Sequence, residues 1–210
     1  MSFPTPEQAF QTAIAQWEGL WEANPADTGN YAHCQAGGTK LIGTMRGVTP
    51  DIYGAWINVD PCTLTAQQMQ QDVTLEVAAQ IAVKDYYEQP GLNKLVWSPL
   101  IAITMDFGWT AGPSRAIKTL QTLVGATADG VPGPGTAAQV NQYIAQHGVA
   151  VACDNYTGQR VQYYLSISQP GSADAQFRQG WLNRANWFLS TNPSPCWWDA
   201  WRGWLTGPAS

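Results

Sequence analysis

Glu18 stands where a carboxylic acid can serve as a proton donor. Phe10, Ile14, Trp17 and Trp21 recur at the period of one helical stripe, and Glu18 falls inside that stripe, between Ile14 and Trp21. A carboxylate held against such side chains is penalised for its charge, so it keeps its proton toward neutral pH, as a general acid must. A structural bridge to an arginine is the other use of such a position. Glu22, beside the expected helix end, reads as solvated. Asp106, the one acid in the apolar run from Leu100 to Trp109, reads as a structural acid in need of a hydrogen-bond partner. Metal chemistry is not encoded, because Cys34, Cys62, Cys153 and Cys196 form no C-x-x-C and the only histidines are His33 and His147. No cofactor is implied.

The elements that must position Glu18 are marked in the chain. Thr5-Pro6-Glu7-Gln8 supplies an N-cap, a proline at the first helical position and the Gln of a capping box, so a helix starts at Thr5 and carries the stripe. From Asn24 to Pro61 the residues are rich in Gly, Pro, Asn, Asp and Thr, with turn signals at Asn24-Pro25, Gly37-Gly38 and Thr49-Pro50. A long irregular segment of this kind, with at most a short hairpin, suggests the wall of a cleft. Thr65-Ala66-Gln67-Gln68 opens a helix carrying Met69, Val73, Val77 and Ile81 toward Pro90-Gly91. Ser98-Pro99 opens a nearly all-apolar central helix. Gly112-Pro113 precedes a helix ending near Gly125, Thr136 to Gln139 reads as a third capping box, and two more helices are expected over 154–168 and 174–190. The class is mainly α.

The chain has 210 residues, enough for one compact domain or one with a small appendage, and 45% hydrophobic with 12% charged residues excludes intrinsic disorder. A formal charge of −5 leaves no general footprint for nucleic acid. Eleven Trp, eight Tyr and five Phe supply flat amphipathic rings that pack cores and also line sugar clefts. Four well-separated cysteines fit two disulfides, 34–62 with 153–196 being one of the three connectivities, and point to an oxidising compartment. MSFPTPEQAF lacks the charged start and apolar stretch of a signal peptide, and no apolar run is long enough to span a membrane.

An ordered set of motifs carries a family resemblance. Glu18-Gly19, Asn24-Pro25-Ala26-Asp27 with Gly29, and Gly38-Thr39 with Gly43 resemble the signature of glycoside hydrolase family 108, peptidoglycan muramidases that are often phage endolysins. Farther on, Met105-Asp106-Phe107, Gly112-Pro113, Arg115-Ala116, Leu120-Gln121, Ala128-Asp129-Gly130-Val131, Gly133-Pro134 and Thr136 are similar to the adjoining peptidoglycan-binding domain 3, which Phe177 and Gly180-Trp181-Leu182-Asn183-Arg184 continue. Leu20 replaces the family's second glycine, and Tyr31 to Ala36 is inserted before the Gly-Gly-Thr element.

The resemblance implies a lysozyme-like helical fold that cuts the β-1,4 bond between N-acetylmuramic acid and N-acetylglucosamine, with Glu18 as catalytic acid. It implies a catalytic region over 1–112, a helical binding region over 113–190 in the same globule, and a Trp-rich tail over 191–210. Glycosidases commonly use a second carboxylate, for which Asp27 is the candidate, with capping of a turn as its other reading. Trp21, Tyr31 and Thr39 flank the acid or lie in the loop that follows and are expected to touch sugar. The expected partner is bacterial peptidoglycan, met by a monomer with no stable membrane association, either as an endolysin released through a membrane pore or as an effector delivered to a target periplasm and opposed by an immunity protein. A lytic transglycosylase and a silent wall-binding or virion module are the alternatives.

Overall fold

A computed structural model describes residues 4–191, so Cys196 and nearly all of the Trp-rich tail lie outside the described residues. The fold is mainly α, with two small antiparallel strand pairs, as expected of a lysozyme-like protein. Two compact units divide the chain, one over Glu7–Val83 and one from Lys84 onward that also takes in residues up to Pro6.

In the first unit, helix α1 (Pro6–Trp17) buries Ala9, Phe10, Ala13 and Ile14. It ends sooner than its apolar period suggests. Glu18 N still donates to Ile14 O at 2.9 Å, but Gly19 follows, and Trp21 belongs to strand β1 (Trp21–Glu22). Glycine weakens a helix through the backbone freedom it must give up, and pairing of β1 with β4 (Thr44–Met45) captures the chain beyond it. Glu18 is therefore the half-buried residue just after the helix rather than a member of its buried stripe.

The expected irregular segment holds a hairpin and a helix. Strands β2 (Tyr31–His33) and β3 (Thr39–Leu41) pair around Gly37 and Gly38, whose φ of 92° and 84° lie in the left-handed region that glycine adopts without cost. Helix α2 (Pro50–Ile57) starts at Thr49, whose hydroxyl accepts from Ile52 N at 3.4 Å, so Thr49-Pro50 is a helix start rather than a turn. The single helix expected from Thr65 is two. Helix α3 (Ala66–Asp72) carries the full capping box between Thr65 and Gln68. Val73 then leaves helical geometry, and Thr74 Oγ1 accepts from Val77 N at 3.2 Å to start α4 (Leu75–Val83), which a π-helical turn over Lys84–Glu88 follows. A β-branched hydroxyl at that point caps a new helix as readily as it continues an old one.

The second unit is built on α5 (Pro99–Ala111), buried without interruption from Pro99 to Gly108. Against it pack α6 (Pro113–Val124) and α8 (Val149–Ile167), and α8 also meets α7 (Pro134–His147) and α9 (Arg178–Trp187). Thr136 does not cap α7. Pro134 takes the first helical position, and Thr136, buried one turn in, accepts from Gln121 Nε2 at 3.2 Å. Asp106 has the partners its burial demands: Arg160 Nη1 stands 2.7 Å from Oδ2 and Arg184 Nη2 2.7 Å from Oδ1. Phe107 makes T-shaped contacts with Tyr163 and Tyr164, and Tyr164 stacks on Trp181.

Cys34 and Cys62 are disulfide-bonded. Cys153 is instead a free thiol on the inner face of α8, fully buried, so the expected 153–196 bridge does not form from this end.

Candidate active site

Helix α1 carries Glu18 to the point where helix gives way to sheet. Leu20 O accepts from Arg46 N at 3.0 Å, and Trp21 and Glu22 register with Met45 and Thr44. The acid thus lies between a buried helix and a hydrogen-bonded strand pair, so its backbone is held on both sides. Leu20, where the family has glycine, has no left-handed backbone and turns a 63% exposed side chain to solvent, so the replacement imposes no strain.

Trp21 is brought onto Gly43. A Cβ at Gly43 would stand 2.5 and 2.6 Å from two carbons of the indole and 2.9 Å from Glu22 O, and its φ is 114°. Only glycine admits the ring at this distance, which leaves Trp21 half-buried with its ring against the Gly43 backbone. Tyr31, also half-buried, donates its hydroxyl to Pro25 O at 3.1 Å and so closes the loop on itself. Asp27 is exposed and caps the 3₁₀ turn Thr28–Asn30, its Oδ1 accepting from Gly29 N at 2.9 Å. Thr39 is exposed at the turn end of the hairpin, opposite His33. Trp21 and Asp27 therefore lie on the strand and loop that immediately follow Glu18, whereas Tyr31 and Thr39 both belong to the β2–β3 pair and stand at opposite ends of it.

Two residues hold this region together that the composition of the loop does not single out. Asn30 is fully buried, and its Nδ2 donates to Glu22 Oε2 at 2.7 Å and to Asn24 O at 3.1 Å. Its carbonyl accepts from both Ile42 N and Gly43 N. Glu22, expected to be merely solvated, also accepts from Asn24 N at 3.0 Å. A carboxylate eight positions from a buried amide leaves no periodic trace, which is why neither stands out in the sequence.

The hairpin is tied to the segment beyond it. Besides the Cys34–Cys62 bridge, Lys40 Nζ donates to Cys62 O and Leu64 O, each at 2.8 Å. His33 Nδ1 lies 2.6 Å from Asp51 Oδ2. Asp60 accepts from Cys62 N and Gln35 N. The acids of these loops thus serve as caps and ties, a rigid frame for whatever the exposed face binds.

Residues 11–112 match the family model for glycosyl hydrolase 108, and residues 115–186 match that for a predicted peptidoglycan domain. A solved structure, that of SagA from Brucella abortus, is similar in fold, with a TM-score of 0.62 at 24% identity, over 86% of this chain and 89% of that one. No curated protein matches the chain.

Proposed function

We propose that this chain, whose residues 11–112 match glycosyl hydrolase 108 and whose residues 115–186 match a predicted peptidoglycan domain, is a muramidase cutting the β-1,4 bond from N-acetylmuramic acid to N-acetylglucosamine. The observation that carries this reading is the half-buried Glu18 at the exit of α1, held between the helix and the β1–β4 pair within the matched region. As general acid, its carboxyl gives a proton to the glycosidic oxygen. The bond to the muramic-acid C1 breaks with its electron pair on the departing N-acetylglucosamine oxygen, and water supplies the hydroxyl to C1. Asp27 is the carboxylate we assign to that water, being exposed and braced by its bond to Gly29. Trp21 and Tyr31 offer ring faces to the sugars beside the acid, and Thr39 a hydroxyl farther along.

Such an enzyme serves host lysis by a phage, working on the wall after release from the host cytoplasm. The test is digestion of purified Gram-negative sacculi with mass spectrometry of the soluble products. Fragments ending in reducible N-acetylmuramic acid, gaining two hydrogens with borohydride, are expected. A 1,6-anhydro end would make it a lytic transglycosylase, a reducing N-acetylglucosamine end a glucosaminidase, and no soluble product a silent wall-binding module.

A further inference from the structure

On the second unit a groove runs between α6 and α8. Arg115, Lys118 and Thr122 line it from α6, and Gln159, Gln162 and Ser166 from α8, at the same i, i+3, i+7 spacing on both helices. These are the solvent stripes of two helices whose opposite faces, Ala116, Ile117 and Leu120 on one and Cys153, Tyr156 and Arg160 on the other, are buried. Tyr163 forms the floor. Its ring meets that of Phe107 edge to face with centroids 5.5 Å apart, and the Arg115 guanidinium lies over it at 5.0 Å. The groove encloses about 320 Å³ and continues past Arg115 and Lys118 into a second hollow of about 370 Å³ toward Gly112 and Pro113.

Its charge is unusual for this chain, whose net charge is −5. Arg160 and Arg184 are buried with Asp106, and Lys40 is committed to two carbonyls. Arg115 and Lys118 are exposed one turn apart, and among the described residues no acid lines either hollow. Asp129 lies near enough for Lys118 to help hold its carboxyl down, after its bonds to Val131 N and Gln121, so one acid borders the groove without lining it. A guanidinium restrained over a ring presents its planar donors with less entropy to lose, and it suits carboxylates that accept in pairs. From i to i+7 a helix rises about 10 Å, the reach of about three extended peptide residues.

We infer that the α6–α8 groove is a subsite for the carboxylate-bearing stem peptide of peptidoglycan, with Arg115 and Lys118 taking its carboxylates and Gln159, Gln162 and Ser166 its amides. The inference rests on the reading of peptidoglycan as substrate, and it assigns to this chain's own residues a contact that recognises the peptide rather than the glycan.

The test is a ¹H–¹⁵N shift titration of the full chain with a product-sized disaccharide-tripeptide and with the same disaccharide lacking its peptide, beside sedimentation with sacculi. The peptide-bearing fragment is expected to shift the amides of Lys118, Gln162 and Tyr163, and the bare disaccharide to leave them unmoved. In Arg115→Gln/Lys118→Gln the affinity should fall about tenfold or more, and added salt should weaken the parent protein in the same direction. Gln162→Glu, which sets an acid in the groove at an exposed position, should weaken binding as well and stands in if the double variant folds poorly. Sacculus binding kept by these variants, with shifts elsewhere, would overturn the groove and leave the peptidoglycan reading intact. Loss of both sacculus binding and all muropeptide shifts in the parent protein would overturn the two together.

Discussion

Glu22 Oε2 accepts the buried side-chain amide of Asn30 at 2.7 Å, and this bond joins β1 to the far end of the loop that leaves the candidate acid. Because Asn30 also receives Ile42 N and Gly43 N on its carbonyl, the same residue couples β1, the loop and the approach to β4. Asn30→Ala removes a buried side chain together with its bonds to a carboxylate and to Asn24 O, so it is expected to cost about 1–3 kcal/mol and to lower the melting temperature. A double-mutant cycle with Glu22→Gln, read by urea denaturation, should return a coupling well above zero; strict additivity would show that the two residues act independently.

Glu18→Gln should leave the circular dichroism spectrum and melting temperature close to those of the parent while lowering product release from sacculi by about a hundredfold or more, because the amide keeps the shape and has no proton to give. Asp27→Asn is its companion. Asn caps as well as Asp, so the bond to Gly29 N survives and any loss of rate reports on the carboxylate alone. Near-normal lysis by a folded Glu18→Gln protein would remove the acid from the mechanism.

Gly43→Ala should displace the Trp21 ring, since the new methyl would meet two indole carbons and Glu22 O in a backbone region alanine avoids. A drop in both Tm and tryptophan fluorescence change on ligand addition is expected. Gly19→Ala has nothing within 4 Å of its new Cβ and should be tolerated, which makes it the steric control for a glycine just ahead of β1.

Burial raises the Asp106 carboxyl, but the Arg184 and Arg160 guanidiniums outweigh it and hold the group below its ordinary value. A carboxyl depressed in the folded state contributes its stability fully above the unfolded value of about 4, and loses it as pH falls through the lower folded value. Acid unfolding below about pH 4 should therefore be shallower in Asp106→Asn. That variant is also expected to lose about 3–5 kcal/mol at neutral pH, since two buried cations lose their counter-charge. Equal stability of the two proteins at pH 7 in a urea titration would contradict this.

Reducing the Cys34–Cys62 bond should lower stability by about 2–4 kcal/mol, mostly through the unfolded chain. The Lys40 and His33–Asp51 contacts remain, so the hairpin is expected to stay docked in the reduced protein. Burial, with Asp154 beside it, pushes the Cys153 thiol up. Peptide mapping after alkylation at pH 8 should find Cys153 unlabelled in the native protein and labelled in denaturant. Rapid native labelling would place it at the surface.

Local chemistry determined a good deal by itself. Ser98-Pro99, Gly112-Pro113 and Gly125 mark the bounds of α5 and α6 because proline and glycine set backbone angles wherever they stand, and the apolar run of α5 demanded burial on every side. The ordered motifs from Glu18-Gly19 to Arg184 were equally legible, since each is a short stretch of residues. Tertiary structure decided the rest. The stripe of α1 extends to Trp21 only if Gly19 and the pairing with β4 are ignored, and that partner lies more than twenty residues away. Thr74 caps a helix, Thr136 receives Gln121, and Cys153 faces a core instead of another sulfur. In each case the side chain had two physically sound uses. The choice fell to whichever neighbour folding brought within hydrogen-bonding or packing distance, and that neighbour is distant in the chain and carries no periodic signal.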